Sequence, residues 1–247
     1  MRRALELADE GLATAAIANA VGVSRTTVAS WLQSDAASLL ARRDNLSCTG
    51  DEACATVSSV PAADYTYLLG LYLGDGCISV SAKGVPRLRI KCCDDYPALM
   101  SRCESAMAAV AMNHAIGRTQ CDGCTEVRAD YRHWACLFPQ HGPGKKHERR
   151  IALLPWQKEL TATHPFELLA GLIHSDGCRV INRVRACGRV YEYPRYFFCN
   201  VSADIQRVFC DTCDAVGVEW RKNRWNSISV ARRASVAKLD AFVPPKR

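Results

Sequence analysis

The chain has 247 residues, enough for one large domain or two ordinary ones around a real hydrophobic core. Apolar residues make up 49% and charged residues 23%, an ordinary globular balance, and no run of 18 or more apolar residues occurs, which argues against a membrane-spanning helix. The net charge of +7 is uneven: residues 1–60 hold 5 Lys/Arg against 7 Asp/Glu and the remainder 27 against 18, so any pull on a polyanion belongs to the part after residue 60.

Glu6, Asp9 and Glu10 interrupt the apolar residues of the N-terminus, which therefore does not read as a signal peptide. With 14 cysteines and no secretion signal, the expectation is a cytoplasmic protein with free thiols, several of them small core residues. Residues 1–34 read as three short helices, RRALELADEG, ATAAIANAV and RTTVASWLQ, with Gly22 breaking the second from the third and Ser24 as an N-cap. Ile17, Val21, Val28, Trp31 and Leu32 are expected to face inward. The AVGVSRTTV turn resembles the homeodomain-like helix-turn-helix of bacterial regulators, which implies that Arg25, Thr26 and Thr27 approach DNA. Residues 35–62 are small and polar with weak periodicity and read as a linker holding one short helix around Leu39 and Leu40.

From residue 63 the chain repeats itself. The first copy, 63–163, opens with a helix, DYTYLLGLYLGDG, capped by Asp64. Strands CISVS and PRLRIKC follow, then a helix, DDYPALMSRCESAMAAV, capped by Asp94 or Asp95. Strand-like HAIGRTQ, TEVRAD and HWACLF and a closing HERRIALLPWQKEL complete it. The second copy, 164–247, opens with HPFELLAGLIHSDG, where Pro165 suits a first helical turn. VINRVRAC and RYFFCNVS read as strands, ADIQRVFCDTCDAVG as a helix and RWNSISVA as a last strand, so this copy ends shorter.

YLLGLYLGDGC and LLAGLIHSDGC align without a gap, Asp75 and Asp176 being 176 − 75 = 101 residues apart. Gly70 and Gly74, and likewise Gly171 and Ser175, fall four apart and give each helix a small-residue face for close packing. Gly76 and Gly177 are expected to end the helices in the left-handed conformation. Asp75 and Asp176 would then stand together at a helix end that already carries partial negative charge, an arrangement that makes sense with divalent cations between them.

These two words are the LAGLIDADG pattern, and residues 63–247 resemble the single-chain LAGLIDADG homing endonucleases. The resemblance implies an α+β fold: a pseudo-two-fold duplicated αββαββα unit whose strands form a saddle over the DNA major groove, with a small all-α helix-turn-helix domain ahead of it. It implies a monomeric, divalent-metal-dependent double-stranded DNA endonuclease with Mg²⁺ or Mn²⁺ held by Asp75, Asp176, Gly74 and Ser175. Lys91 and Arg195 are the candidates for positioning water. His174 and Leu73 depart from the acidic sixth position of the pattern. A catalytically inactive DNA-binding transcriptional regulator on the same fold is the alternative.

In PRLRIKC, Arg87, Arg89 and Lys91 alternate with apolar residues, and Arg183 and Arg185 repeat this in the second copy, as a DNA-facing sheet requires. Cys121-x-x-Cys124 and Cys210-x-x-Cys213 have zinc-like spacing, but no four-ligand set emerges and zinc is not predicted. HGPGKKHERR, residues 141–150, reads as a basic surface loop.

Overall fold

The computed structural model describes residues 2–33, 54–81 and 84–246. The expected helix around Leu39 and Leu40, and most of the expected linker, lie outside the described residues. Three helices come first: α1 (Arg2–Asp9), α2 (Thr14–Val21) and α3 (Arg25–Gln33). They share a small core of Ala4, Leu7, Ile17, Ala18 and Val28. Gly22 ends α2 in the left-handed conformation at φ 70°. The Ser24 hydroxyl caps α3 by accepting from the Thr27 N–H at 3.1 Å. Leu32 is exposed rather than inward.

After α4 (Ala55–Ser59), two copies of one topology follow. The first runs α5 (Ala62–Gly74), β1 (Gly76–Val80), β2 (Pro86–Cys93), α6 (Pro97–Val110), β3 (Ile116–Cys121), β4 (Cys124–Asp130) and α7 (Trp134–Leu137). Helix α8 (Pro155–Thr163) leads into the second: α9 (Pro165–Asp176), β5 (Gly177–Ala186), β6 (Arg189–Cys199), α10 (Ala203–Ala215), β7 (Arg221–Arg224), β8 (Ser227–Val230) and α11 (Arg233–Phe242). Each copy is αββαββα, and the antiparallel sheets have matching strand orders, β1-β2-β4-β3 and β5-β6-β8-β7. The second copy is therefore complete, not shortened. β7 consists of four exposed polar residues and carries no apolar alternation, so it left no period to read.

Local differences from the sequence expectations have physical causes. HWACLF is helical: the Trp134 side chain is buried and its indole N–H donates to the Ala129 carbonyl at 2.9 Å. Helix α5 starts at Ala62 after Pro61, which leaves Asp64 inside the first turn instead of at the cap. Tyr96 precedes α6, and Asp94 accepts from Thr125 and Gln120 instead of capping. Pro165 does open α9.

Helices α5 and α9 form the centre. Tyr65–Leu73 and Leu168–His174 are buried without a break, as in helices surrounded by protein on all sides. The two helices meet along the expected small residues. A Cβ on Gly70 would fall 2.7 Å from the Leu168 oxygen, and one on Gly171 would fall 2.9 Å from the Gly70 Cα. Gly76 and Gly177 are not left-handed, contrary to expectation. They begin β1 and β5, and glycine is needed because a Cβ would strike Tyr72 Cα at 2.5 Å or Ile173 Cα at 2.8 Å. Among the described residues, no helix is long and apolar enough to cross a membrane.

Candidate active site

Because α5 and α9 are equal in role and share a contact face, their C-terminal ends coincide. Asp75 caps α5 and Asp176 is the last residue of α9. A Cβ on Gly74 would lie 2.9 Å from Asp176 Oδ2, so the second acid rests against the end of the first helix. Burial pushes both carboxyls up. For Asp176 the value reaches about 6: a hydrogen bond from Asn200 opposes the rise, and the charge of Asp75 adds to it. Asn200 Nδ2 donates to Asp176 Oδ2 at 2.5 Å.

Two lysines complete the group. Lys146 Nζ donates to the main-chain oxygens of Tyr72, Leu73 (3.2 Å) and Gly74 (2.7 Å), neutralising the negative end of α5. Burial pulls its ammonium down to about 8, against the pull of Asp176 and Asp75. The loop is built to deliver it. Arg149 Nη1 donates to Gly144 O at 2.6 Å and Pro143 O at 3.3 Å, and Gly144 supplies the left-handed turn at φ 76°. Residues 141–150, expected as a surface loop, thus place a half-buried cation in the site. Lys246 makes the corresponding contact with α9, reaching Ser175 O at 3.5 Å. Burial lowers its pKa, while Asp75 raises it.

His174 explains how the C-terminal segment is held there. Pro244 O can only accept, so His174 Nε2 donates to it at 2.8 Å, and Nδ1 accepts from the Tyr67 hydroxyl at 2.9 Å. Burial lowers His174 to about 4, which keeps the ring neutral. The residue that departs from an acidic consensus pins the C-terminal segment carrying Lys246.

Pockets open on both sides of the helix ends. One of about 450 Å³ is lined by Gly74, Lys146, Asp176 and Asn200. A smaller one of about 80 Å³ is lined by Asp75, Lys91, Ser175 and Lys246. Lys91 therefore joins the site. Arg195 does not line either pocket. It sits four residues before Cys199 on β6, about 13 Å away at ~3.3 Å per residue, and stacks over Phe197 with 5.6 Å between guanidinium and ring centre. The donors at the helix ends are all oxygens, two carboxylates and the carbonyls of Gly74 and Ser175, which suits a hard divalent cation.

The sheets present the expected alternation. In β2, Leu88, Ile90 and Cys92 are buried, whereas Arg87, Arg89 and Lys91 lie on the opposite face. The arginines are not free. Arg87 forks onto Asp130 (2.5 and 2.9 Å), Arg89 bonds Glu126 at 2.8 Å, and Arg183 bonds Glu192 at 2.8 Å. Lys91, Arg128 and Arg185 pair with no carboxylate among the described residues. The β5–β6 hairpin is exposed on both faces from Arg179 to Tyr193 apart from a half-buried Asn182 and an undescribed Ala186 side chain. In α3, Arg25 and Thr26 are exposed, and the Thr26 and Thr27 hydroxyls bond Ser24 at 2.8 and 2.7 Å.

Solved structures similar to this chain are LAGLIDADG homing endonucleases. A mesophilic variant of I-DmoI aligns at 12% identity and TM-score 0.46, over 74% of this chain and 95% of that one. I-AabMI bound to uncleaved DNA aligns at 14% and 0.46, over 73% and 84%. I-SmaMI bound to uncleaveable DNA aligns at 10% and 0.45, over 72% and 82%. At these identities the likeness assigns no residue a role. No family model and no curated protein matches the chain.

Lys146, Lys246 and Asn200 were not among the sequence candidates. A lysine in a Gly-Pro loop looks like solvated surface, and its approach to a helix end 72 residues earlier has no local signature. The 101-residue period of the aspartates does not single out this pair of lysines, because it aligns Lys246 with Lys145 (246 − 145 = 101) and not with Lys146.

Proposed function

We propose that this chain is a site-specific double-stranded DNA endonuclease that hydrolyses phosphodiester bonds with a divalent metal, Mg²⁺ or Mn²⁺. The observation that carries this reading is the pair of aspartates, exposed Asp75 and half-buried Asp176, at the joined ends of two glycine-packed helices with a lysine beside each. Two carboxyls crowded at negative helix ends oppose folding unless cations bind there.

Asp75 and Asp176 would hold the metal, with the Gly74 and Ser175 carbonyls beside them. When bound, the metal supplies Lewis-acid polarisation of the phosphate and a lowered pKa for attacking water. Asn200 fixes the orientation of the Asp176 carboxylate. Lys146 and Lys246 are placed to offset negative charge developing on the phosphate, and Lys91 stands at the mouth of the Asp75 pocket. Arg87, Arg89, Arg183, Arg185 and Arg195 line strands that would follow the duplex, where phosphate contacts hold register and base contacts give sequence choice. Arg25, Thr26 and Thr27 at the start of α3 would add a second contact with DNA.

The test is selection from a random duplex library with and without Mg²⁺. Metal-dependent double-strand cleavage of a defined sequence is expected. Asp75→Asn should abolish it while duplex binding stays within roughly tenfold, about 1.4 kcal/mol. Binding by the unaltered chain with no cleavage in either metal would instead make it a DNA-binding regulator.

A further inference from the structure

Cys54, His133 and Cys136 converge on one point outside both aspartate pockets. Cys54 precedes α4. His133 precedes α7, and Cys136 lies one helical turn on, so the two share a face. His133 Nδ1 stands 3.3 Å from Cys54 Sγ and 3.8 Å from Cys136 Sγ, and the three atoms lie within 4.8 Å of one another. Zinc bond lengths of ~2.3 Å to sulfur and ~2.0 Å to nitrogen require a tetrahedral edge of roughly 3.6 Å between them, which the two observed separations bracket.

Both cysteines are buried, as small core residues would be. Packing alone does not aim two sulfurs at one imidazole nitrogen. Arg132 Nε approaches His133 Nε2 at 3.0 Å. Coordination through Nδ1 places the ring proton on Nε2, so Arg132, which is exposed, must turn outward.

We propose that Cys54, His133 and Cys136 form a zinc site, with both thiolates and His133 Nδ1 as ligands and a solvent molecule completing the tetrahedron. Binding releases the two thiol protons to solvent. The ion clips α4 to α7 across 79 residues of chain and so fixes the segment that leads into α5. Two thiolates and an imidazole select zinc over Mg²⁺ or Ca²⁺. The site is independent of the nuclease reading.

The full chain, expressed with zinc in the medium, should retain stoichiometric zinc after desalting. Co²⁺ substitution should give the thiolate charge-transfer and visible bands of a tetrahedral centre. Alkylation read by mass spectrometry should label Cys54 and Cys136 only after a strong chelator is added, with Cys121 and Cys124 labelled regardless. The Cys54→Ser and Cys136→Ser variants should each lose the metal, whereas Cys121→Ser should keep it. Absence of bound zinc in the unaltered chain, or chelator-independent labelling of Cys54 and Cys136, overturns the proposal. Should the variants not fold, the cobalt spectrum and labelling pattern of the unaltered chain decide.

Discussion

Lys146 donates to the main-chain oxygen of Gly74 at 2.7 Å, which sets its ammonium at the end of α5 where both aspartates act on it. Burial lowers the lysine to about 8, and burial raises Asp176 to about 6. Cleavage that needs an ionised Asp176 and a protonated Lys146 should rise with pH up to about 6 and fall above about 8. Bound metal moves the acid limb lower. Lys146→Arg should shift the alkaline limb out of range while retaining part of the rate. A flat profile between pH 6 and 9.5 in the unaltered chain would remove Lys146 from the reaction.

The glycine contact between the central helices should be intolerant of a single methyl group. In an isolated helix, Gly→Ala gains about 1 kcal/mol. Here the added Cβ of Gly171→Ala would lie 2.9 Å from Gly70 Cα, and the obstacle is backbone that cannot turn aside. Overpacking of this kind costs about 1–3 kcal/mol or more. Gly171→Ala should therefore lower the denaturant midpoint, and cleavage should fall with it because the two acids separate. An unchanged midpoint would show that the helices are not in contact at this point.

Asp176 also links pH to stability. A carboxyl raised from 3.8 to about 6 favours the protonated fold. Its contribution is complete below about 3.8 and is lost as pH rises through about 6. Without divalent metal, the chain should lose stability on the order of 2 kcal/mol between pH 4 and 7 from this group. Asp176→Asn should flatten that slope and stabilise the metal-free chain at neutral pH. Mg²⁺ should stabilise the unaltered protein at pH 7 and leave the variant nearly unaffected. Thermal melts across pH, with and without chelator, check each arm.

The sequence made the central architecture legible because packing and chemistry both act through a repeated local word. Gly70, Gly171, Asp75 and Asp176 are close in the chain to the elements they define, so a gapless match was enough. The β2 alternation was equally readable, since a strand declares its two faces at every second residue. Elements held by distant partners were not. Trp134 turns HWACLF into a helix start by burying its ring and bonding Ala129, although a short apolar run of this length reads equally well as a strand. Lys146 and Lys246 earn their places through long-range contacts with main-chain oxygens, and Cys54 meets His133 across 79 residues. Periodicity carries no trace of such meetings.

Ion pairing on the open face of the first sheet governs how strongly DNA can be held. Glu126 is 6% exposed and bonds Arg89, while Lys91 lies directly across the ladder from it. Every phosphate that Arg89 approaches must compete with this carboxylate. Glu126→Gln keeps the shape and a hydrogen-bond acceptor but removes the negative charge. Binding should then tighten at low salt, and the slope of log affinity against log salt should steepen by about 0.9 for one recovered phosphate contact. Arg89→Ala should do the reverse, and the double variant should resemble Arg89→Ala alone, because the carboxylate acts through that arginine. Titrations of a labelled duplex over a range of salt concentrations measure all three slopes. Equal slopes for the unaltered chain, Glu126→Gln and Arg89→Ala would mean that this face of the sheet does not meet the backbone of DNA.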